Sequence, residues 1–161
     1  MTKKQEGASE MYLKRITTSL GTFTLKSDGK ALIYCKIDDG SENENSCALL
    51  EEAAQAIGAY LSGSKTSLEA IPVNPSGTEF QLAVLQCLRQ VPYGKTLTYL
   101  DIARMLHKER ACRAVGRACA KNPIWLFIPC HRIIGVKGAL TGYAGGIEMK
   151  RTLLTLEGVM P

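Results

Sequence analysis

The sequence predicts a mixed α/β (α+β) protein: a small N-terminal antiparallel sheet with one covering helix, then a mostly helical C-terminal domain containing a helix-turn-helix. Three observations predict this class. Short runs of β-branched and aromatic residues occur before residue 38, helix-capping patterns occur after residue 45, and the charge changes sign between the two halves. With 161 residues, 45% of them hydrophobic, the chain can bury a core without disulfides or a structural metal.

Three short strands are predicted over residues 12–18, 22–27 and 31–37. The pair Asp28-Gly29 separates the second run from the third and is a strong signal for a tight hairpin turn. A small antiparallel sheet follows from these runs and their short connections.

One helix is predicted after the polar loop of residues 38–45. Ser46 can cap it, it runs to about Leu61, and Gly63 lies just past its end. Its apolar residues share one stripe, formed by Leu49, Leu50, Ala53, Ala56, Ile57 and Tyr60. We expect this stripe to cover one face of the sheet.

Domain boundaries follow from composition and charge. We predict a flexible N-terminus over residues 1–10, an α/β domain over 11–72, a linker over 73–77 and a second domain over 78–161. Residues 1–77 hold 8 Lys and Arg against 10 Asp and Glu, whereas residues 78–161 hold 12 against 5. The positive charge therefore belongs to the second domain, and a polyanion such as nucleic acid is its natural partner.

Three helices are predicted at the start of the second domain. Thr78 with Gln81, and Thr98 with Asp101, match the pattern of a helix capping box. A third helix over residues 111–121 follows the second after a short turn, which matches a helix-turn-helix in outline, although a plain helical hairpin has the same pattern. This third helix combines small residues with Arg113, Arg117 and Lys121, so its backbone can approach a nucleic-acid groove closely.

Six cysteines occur without a C-x-x-C pair, and only two histidines accompany them. We therefore expect no metal site, and most of the thiols to be core residues. The longest apolar run, residues 124–128, is predicted to be a short strand or a core segment and is far too short to span a membrane, and the N-terminus lacks a secretory signal. The expected location is the cytoplasm, or the nucleus if the source is eukaryotic.

The chemistry is predicted at Cys130. An apolar strand over residues 124–128 leads into Pro129, Cys130, His131 and Arg132. A reactive cysteine needs its thiolate stabilised, and neighbouring cations favour ionisation. Adjacent residues of an extended chain point to opposite sides, so we expect His131 to reach the Cys130 sulfur through a water molecule.

An imidazole base also needs a partner that fixes its tautomer, and a carboxylate is the usual choice. Of the few acids downstream, Glu157 is a better candidate than Glu148.

The second domain resembles the O6-alkylguanine-DNA alkyltransferases over about residues 78–161. The resemblance is carried by Ile128-Pro129-Cys130-His131-Arg132-Ile133-Ile134, Asn122-Pro123, Arg113-Ala114-Val115-Gly116, Thr98-Tyr99, Tyr143-Ala144-Gly145-Gly146 and Glu157-Gly158. The Pro-Cys-His-Arg element with these companions is highly specific, and the β-rich first half is compatible with the more variable N-terminal domain of that family.

The resemblance implies roles for individual residues. Cys130 would accept the alkyl group, His131 and Glu157 would activate it through water, Asn122 would brace the turn, and Tyr99 would donate to the base. DNA would be bound by Arg113, Ala114, Arg117, Lys121 and Arg132, with Arg113 filling the stack of the flipped base. The substrate base and its alkyl group would contact Tyr99, Cys119, Trp125, Ile133, Tyr143 and Ala144. Lys150 and Arg151 are expected to be surface charges.

The implied activity is DNA repair by direct damage reversal. A methyl or other alkyl group would move from O6 of guanine, and from O4 of thymine, to Cys130 after base flipping, once per protein molecule. The resemblance implies double-stranded DNA carrying O6-alkylguanine as partner, bound through its minor groove by a monomer. No cofactor, metal or membrane is implied.

Three departures from the family pattern bear on the pocket. Ala144 replaces a serine found in many members, which removes a hydroxyl that could bond the O6 atom. Trp125 stands where some relatives have proline, and its bulk would disfavour large alkyl groups. The zinc ligands of some mammalian relatives have no counterpart here.

Three other functions compete with this interpretation. A non-enzymatic binder of alkylated DNA would carry tryptophan at the acceptor position, where this chain has Cys130. A Cys-His-Glu hydrolase has no need of the basic helix pair. A helix-turn-helix regulator leaves the Pro-Cys-His-Arg element unexplained.

Overall fold

The N-terminal part of the molecule is a three-stranded antiparallel sheet. The computed structural model describes residues 10–38, 40 and 43–161. Strands β1 (Tyr12–Thr18), β2 (Gly21–Ser27) and β3 (Leu32–Ile37) lie in that order, which confirms the three predicted strands to within one residue at each end. Of the predicted flexible N-terminus, residues 1–9 lie outside the described residues.

Helix α1 (Ala48–Leu61) covers the sheet and contacts all three strands. Five residues of the predicted stripe are buried, namely Leu50, Ala53, Ala56, Ile57 and Tyr60, and Leu49 is half-buried. The predicted cap is wrong by one residue, because Cys47 occupies the N-cap position without a side-chain hydrogen bond. The Ser46 hydroxyl instead donates to the Glu51 carboxylate at 2.7 Å.

The segment between the two parts of the chain runs along the edge of the sheet. Leu32 donates its amide to Pro72 at 2.8 Å and accepts from Asn74 at 2.9 Å, so Val73 forms a parallel bridge with the start of β3. The Arg89 side chain also donates to the Ile71 carbonyl at 2.7 Å. These bonds attach the segment to both the sheet and the helices that follow.

Helices dominate the remainder of the chain. They are α2 (Glu79–Arg89), α3 (Tyr99–Met105), α4 (Cys112–Ala120) and α5 (Ile147–Leu156). Both predicted capping boxes are confirmed, at Thr78 with Gln81 and at Thr98 with Asp101. Helices α3 and α4 pack together after a short turn. The sequence did not predict the short parallel pair β4 (Leu97–Thr98) and β5 (Ile133–Ile134).

Of the two predictions for residues 124–128, a short strand or a core segment, the structure shows the core segment. Only Ile124 pairs, in a bridge with Cys35, and the chain then turns at Leu126, whose φ is 73°. The run is apolar because every side chain in it is buried between the sheet and the helices. Since the carbonyl of Cys35 accepts from Trp125 at 2.8 Å, the sheet directly supports the loop that precedes Cys130.

One continuous hydrophobic core joins the sheet, α1 and the C-terminal helices. Within the described part of the chain, none of the helices has the length and apolar character needed to cross a bilayer.

Candidate active site

Cys130 begins a single 3₁₀ turn, Cys130–Arg132, that directly follows Pro129. Its side chain is only 5% exposed. The Sγ atom accepts a hydrogen bond from Nδ2 of Asn122 at 3.2 Å, and the Cys130 amide donates to the Ile128 carbonyl at 2.8 Å. The thiol therefore has a fixed position at the end of the buried loop.

Asn122 holds that loop from within. Its Nδ2 also donates to the Ile128 carbonyl at 2.9 Å, and its Oδ1 accepts from the Ile124 amide at 2.9 Å. Asn122 is fully buried, so each of these bonds replaces one with water that the folded protein cannot make. This one amide fixes both ends of residues 124–130 and contacts the sulfur as well.

Glu157 is the centre of a buried polar cluster beside the thiol. It ends α5, accepts from His131 Nε2 at 2.8 Å, and is paired with Arg132 at 2.8 and 2.9 Å. Burial opposes its negative charge, but the bonds from His131 and Arg132 prevail and lower the pKa of Glu157 to about 2. The carboxylate is thus ionised at neutral pH and can only accept hydrogen bonds.

This pairing fixes the tautomer of His131. Because an ionised carboxylate cannot donate, Nε2 must carry the hydrogen, and Nδ1 of the neutral ring keeps its lone pair. Nδ1 is buried and has no hydrogen-bond partner among the described residues. Burial lowers the pKa of His131, only partly offset by Glu157, so the ring is a neutral base at physiological pH.

The thiol itself is hard to ionise without such a base. Burial raises the pKa of Cys130 to about 11, while the Asn122 bond and the charge of Lys150 oppose that rise. His131 lies next to Cys130 in the 3₁₀ turn, and no direct hydrogen bond joins their side chains among the described residues. Transfer of the proton through water stays a prediction.

Lys150 corrects an expectation, because it is fully buried and not a surface charge. Its ammonium group donates to the carbonyls of Thr141 and Gly142 at 2.9 and 3.4 Å. Among the residues that the structure describes, no carboxylate pairs with it. Arg151, the next residue, is half-exposed as expected and lies 4.0 Å from Glu148.

A cavity of about 370 Å³ opens onto Cys130. Its lining includes four predicted substrate contacts besides the acceptor itself, namely Tyr99, Cys119, Tyr143 and Ala144. The Tyr99 hydroxyl accepts from Thr141 at 3.2 Å, and the Tyr143 hydroxyl is buried with no partner among the described residues. Trp125, also a predicted substrate contact, is not among the residues that line the cavity; its ring packs against Tyr143, with ring centroids 5.8 Å apart.

Two further predicted contacts, one to the substrate and one to DNA, also lie away from the cavity. Ile133 was predicted to touch substrate, but it is fully buried and pairs with Leu97 in the β4–β5 ladder. Arg132 was predicted to bind DNA, but its guanidinium is buried against Glu157 and donates to the Val91 carbonyl at 2.7 Å. Arg132 forms an internal ion pair because Glu157, at the end of α5, lies against its guanidinium group.

The basic residues of α4 form an open face near the cavity. Arg113, Arg117 and Lys121 are exposed, whereas Val115, Ala118 and Cys119 point into the core. Ala114 is half-buried between the two sets, and Gly116 lines the cavity. The helix that carries Arg113 and Arg117 thus also contributes Gly116, Cys119 and Ala120 to the lining of the cavity.

Sequence reasoning missed two residues of the site, Tyr60 and Lys150. Tyr60 comes from α1, and its hydroxyl donates to Oε2 of Glu157 at 2.6 Å. Its only sequence signal was membership of the apolar stripe. Lys150 did carry a signal, because Ile147, Leu153 and Leu154 lie three or four positions from it on α5 and place it on the apolar face of the helix. Among the described residues, no group of His, Cys, Asp and Glu is arranged to hold a metal ion.

Fold and site together define a protein with a cysteine nucleophile: a buried thiol beside an imidazole–carboxylate pair, reached through a cavity under a basic helix-turn-helix. The chain belongs to the family described as "6-O-methylguanine DNA methyltransferase, DNA binding domain", whose sequence model matches residues 79–159. The methylated-DNA–protein-cysteine methyltransferase of Methanosarcina acetivorans is 39% identical over 158 residues, which cover 92% of this chain and 99% of that protein.

Solved structures agree with this assignment. The crystal structure of Mycobacterium tuberculosis OGT in complex with DNA superposes with a TM-score of 0.81 at 34% identity, covering 92% of this chain and 94% of that one. The O6-methylguanine methyltransferase of the same organism gives a TM-score of 0.80 at 33% identity, with 94% and 96% covered. The predicted fold class and family are therefore confirmed.

Proposed function

We propose that this protein repairs DNA by transferring an alkyl group from O6 of guanine, or O4 of thymine, to Sγ of Cys130, once per molecule. One observation carries the proposal. Within the segment that matches the family, Cys130 faces a cavity, its sulfur is held by Asn122, and the adjacent His131 is paired with Glu157.

The chemical step follows from the site. Nδ1 of His131 takes the Cys130 proton through a water molecule, and Glu157 stabilises the imidazolium that forms. The thiolate then attacks the alkyl carbon, so that the S–C bond forms while the C–O6 bond breaks and its electron pair stays with guanine. The Tyr99 hydroxyl donates to the departing base. The product is a thioether, and no group in the described site offers a way to cleave one.

The DNA is bound as a duplex by a monomer, in the cytoplasm or, in a eukaryote, in the nucleus. We assign contact to the α4 face, with Arg113, Arg117 and Lys121 exposed and the small residues Ala114 and Gly116 allowing close approach to the minor groove. A guanine O6 inside a duplex cannot reach a sulfur that is 5% exposed, so the nucleotide must rotate outward into the cavity. Arg113 would then fill the gap in the base stack.

Intact-mass measurement before and after mixing with duplex DNA containing O6-methylguanine tests the transfer. We expect a gain of one methyl group on the Cys130 peptide, ending at one equivalent. Cys130→Ser should abolish the gain and keep DNA binding. Cys119→Ser is the matched control, because Cys119 lines the same cavity without the Asn122 bond, and it should still transfer. Tight binding with no mass change would identify a damage sensor instead.

Arg113→Ala tests base flipping separately. It should react normally with a free O6-alkylguanine base yet repair duplex DNA slowly. Equal loss on both substrates would contradict the role of Arg113 in the stack.

A further inference from the structure

The buried polar cluster includes one group from the N-terminal part of the chain. Tyr60 lies in the last turn of α1 and is 1% exposed. Its hydroxyl donates to Oε2 of Glu157 at 2.6 Å, and the phenol oxygen lies 3.5 Å from Nε2 of His131. Residue 60 therefore contacts both members of the imidazole–carboxylate pair, although it is 71 positions from His131 in the chain.

Both oxygens of Glu157 are fully used. Oε1 accepts from Arg132 Nε at 2.8 Å and from the Gly94 amide at 3.2 Å. Oε2 accepts from Tyr60, from His131 and from Arg132 Nη2 at 2.9 Å. Tyr60 and His131 thus share one oxygen, and a stronger bond from one donor leaves less negative charge for the other.

We propose that Tyr60 is a positioning residue for the transfer reaction: its bond to Glu157 sets how basic the His131 ring is and ties the N-terminal sheet domain to the reactive site. The proposal rests on the proposed function for its kinetic test. It requires no contact between Tyr60 and the substrate.

Physical chemistry fixes the direction of the effect. A hydroxyl that donates to a carboxylate spreads its negative charge, so removing that hydroxyl leaves more charge to hold a proton on His131. The ring would then stay protonated to a higher pH, and an imidazolium cannot accept the Cys130 proton. The pH at which activity falls on the acid side should therefore rise.

Other ionisable groups face this pair and are unchanged by a Tyr60 substitution. Glu157 faces Arg132 from the 3₁₀ turn and Tyr93 from the loop after α2, and His131 faces Arg132 and Lys150 of α5. Cys130, the proton donor, faces Asn122, Lys150 and Lys36 of β3, and its charge also acts on Cys119, Tyr99 and Tyr143.

Tyr60→Phe removes only the hydroxyl. We expect the acid limb of the pH profile for alkyl transfer to a free O6-alkylguanine base to move up by about half a pH unit. The rate at high pH should stay within about twofold of wild type, because the neutral ring is then restored. Tyr93→Phe is the matched control: the Tyr93 ring meets Tyr60 edge-on at 6.1 Å, but its hydroxyl donates to the Leu156 carbonyl and not to Glu157. Its acid limb should not move.

A second readout does not depend on alkyl transfer. The chain has only two histidines, so the ring resonances of His131 can be assigned with a His107→Asn variant and titrated by NMR. The His131 midpoint should rise in Tyr60→Phe and stay constant in Tyr93→Phe. If wild type transfers no alkyl group, the proposed function fails while this titration still tests Tyr60.

Two outcomes would overturn the inference. One is an unchanged His131 midpoint and an unchanged acid limb in Tyr60→Phe, with only a lower melting temperature, which is the result for a merely structural bond. The second outcome applies if Tyr60→Phe does not fold. Wild type is then examined by NMR for a slowly exchanging downfield hydroxyl proton with nuclear Overhauser contacts to the rings of Tyr60 and His131, and the absence of that proton signal would overturn the inference.

Discussion

The Glu157 carboxylate offers the most direct test of the buried cluster. Hydrogen bonds from His131 and Arg132 lower its pKa from an ordinary 4.5 to about 2. At about 1.4 kcal/mol per pH unit, this difference corresponds to about 3 kcal/mol of stability at neutral pH. The residue is 5% exposed, so solvent screens this value little. Loss of one partner of a buried ion pair also costs about 3–5 kcal/mol, because the Arg132 charge is left uncompensated.

Glu157→Gln should therefore lower the free energy of unfolding by about 3 kcal/mol at pH 7, measured by denaturant titration. Glu148→Gln is the matched control on the same helix, since Glu148 is 89% exposed and its contact with Arg151 is 4.0 Å. We expect it to change stability by less than about 0.5 kcal/mol. Alkyl transfer should also fall in Glu157→Gln, because the amide can donate to Nε2 and leave the hydrogen on Nδ1.

The direction of the Glu157 pKa shift fixes how the free energy of unfolding changes with pH. A carboxylate whose pKa is lowered by folding contributes its full stability above pH 4.5 and loses it as the pH falls through about 2. The difference in unfolding free energy between wild type and Glu157→Gln should therefore shrink over that window. The lowered pKa of His131 also makes the free energy of unfolding of wild type decrease as the pH falls, beginning below the ordinary His pKa of 6.5. A folded Glu157→Gln protein that loses less than about 1 kcal/mol at pH 7, or a difference that stays constant from pH 4.5 to 2, would refute this reasoning.

Three further predictions concern the thiol and the DNA face. Lys150→Met should slow alkyl transfer at neutral pH about tenfold by raising the pKa of the Cys130 thiol. Its melting temperature should stay equal or rise, because a buried cation without a carboxylate partner is costly. Arg151→Met, the control, should change neither the rate nor the melting temperature, and a large fall in the melting temperature of Lys150→Met with normal transfer would contradict the prediction. Asn122→Ala should lower the unfolding free energy by about 3 kcal/mol, because the Ile124 amide loses its acceptor and the Cys130 sulfur loses its donor. Denaturant titration measures this loss, and a value under about 1 kcal/mol would contradict the role of Asn122 in bracing the loop. Arg117→Ala should weaken binding to all duplex sequences equally and reduce the salt slope of affinity by about one; an unchanged slope would remove Arg117 from the DNA face.

Local patterns allowed much of the fold to be predicted. The β-branched and aromatic runs, the turn at Asp28-Gly29 and the capping boxes at Thr78 and Thr98 depend on residues within a few positions of each other, so the sequence contains the whole signal. The open choice between a strand and a core segment over residues 124–128 shows the limit of this reasoning. An apolar run indicates burial, and both a core strand and a buried turn satisfy that condition.

The residues of the site likewise fall into those that the sequence predicts and those that only the folded chain brings together. The sequence by itself determined Cys130, His131 and Asn122, which lie within nine positions of one another in a specific motif, and it selected Glu157 from a short list of acids. Only the tertiary structure decided that Arg132 closes on Glu157, that Lys150 is buried, and that Tyr60 reaches the cluster from α1. The Arg132 and Tyr60 assignments depend on how α1, α5 and the 3₁₀ turn pack around one carboxylate, and packing between distant segments leaves no local pattern in the chain. Lys150 is buried with its charge because the carbonyls of Thr141 and Gly142 accept from it, and only the folded chain brings those carbonyls to it.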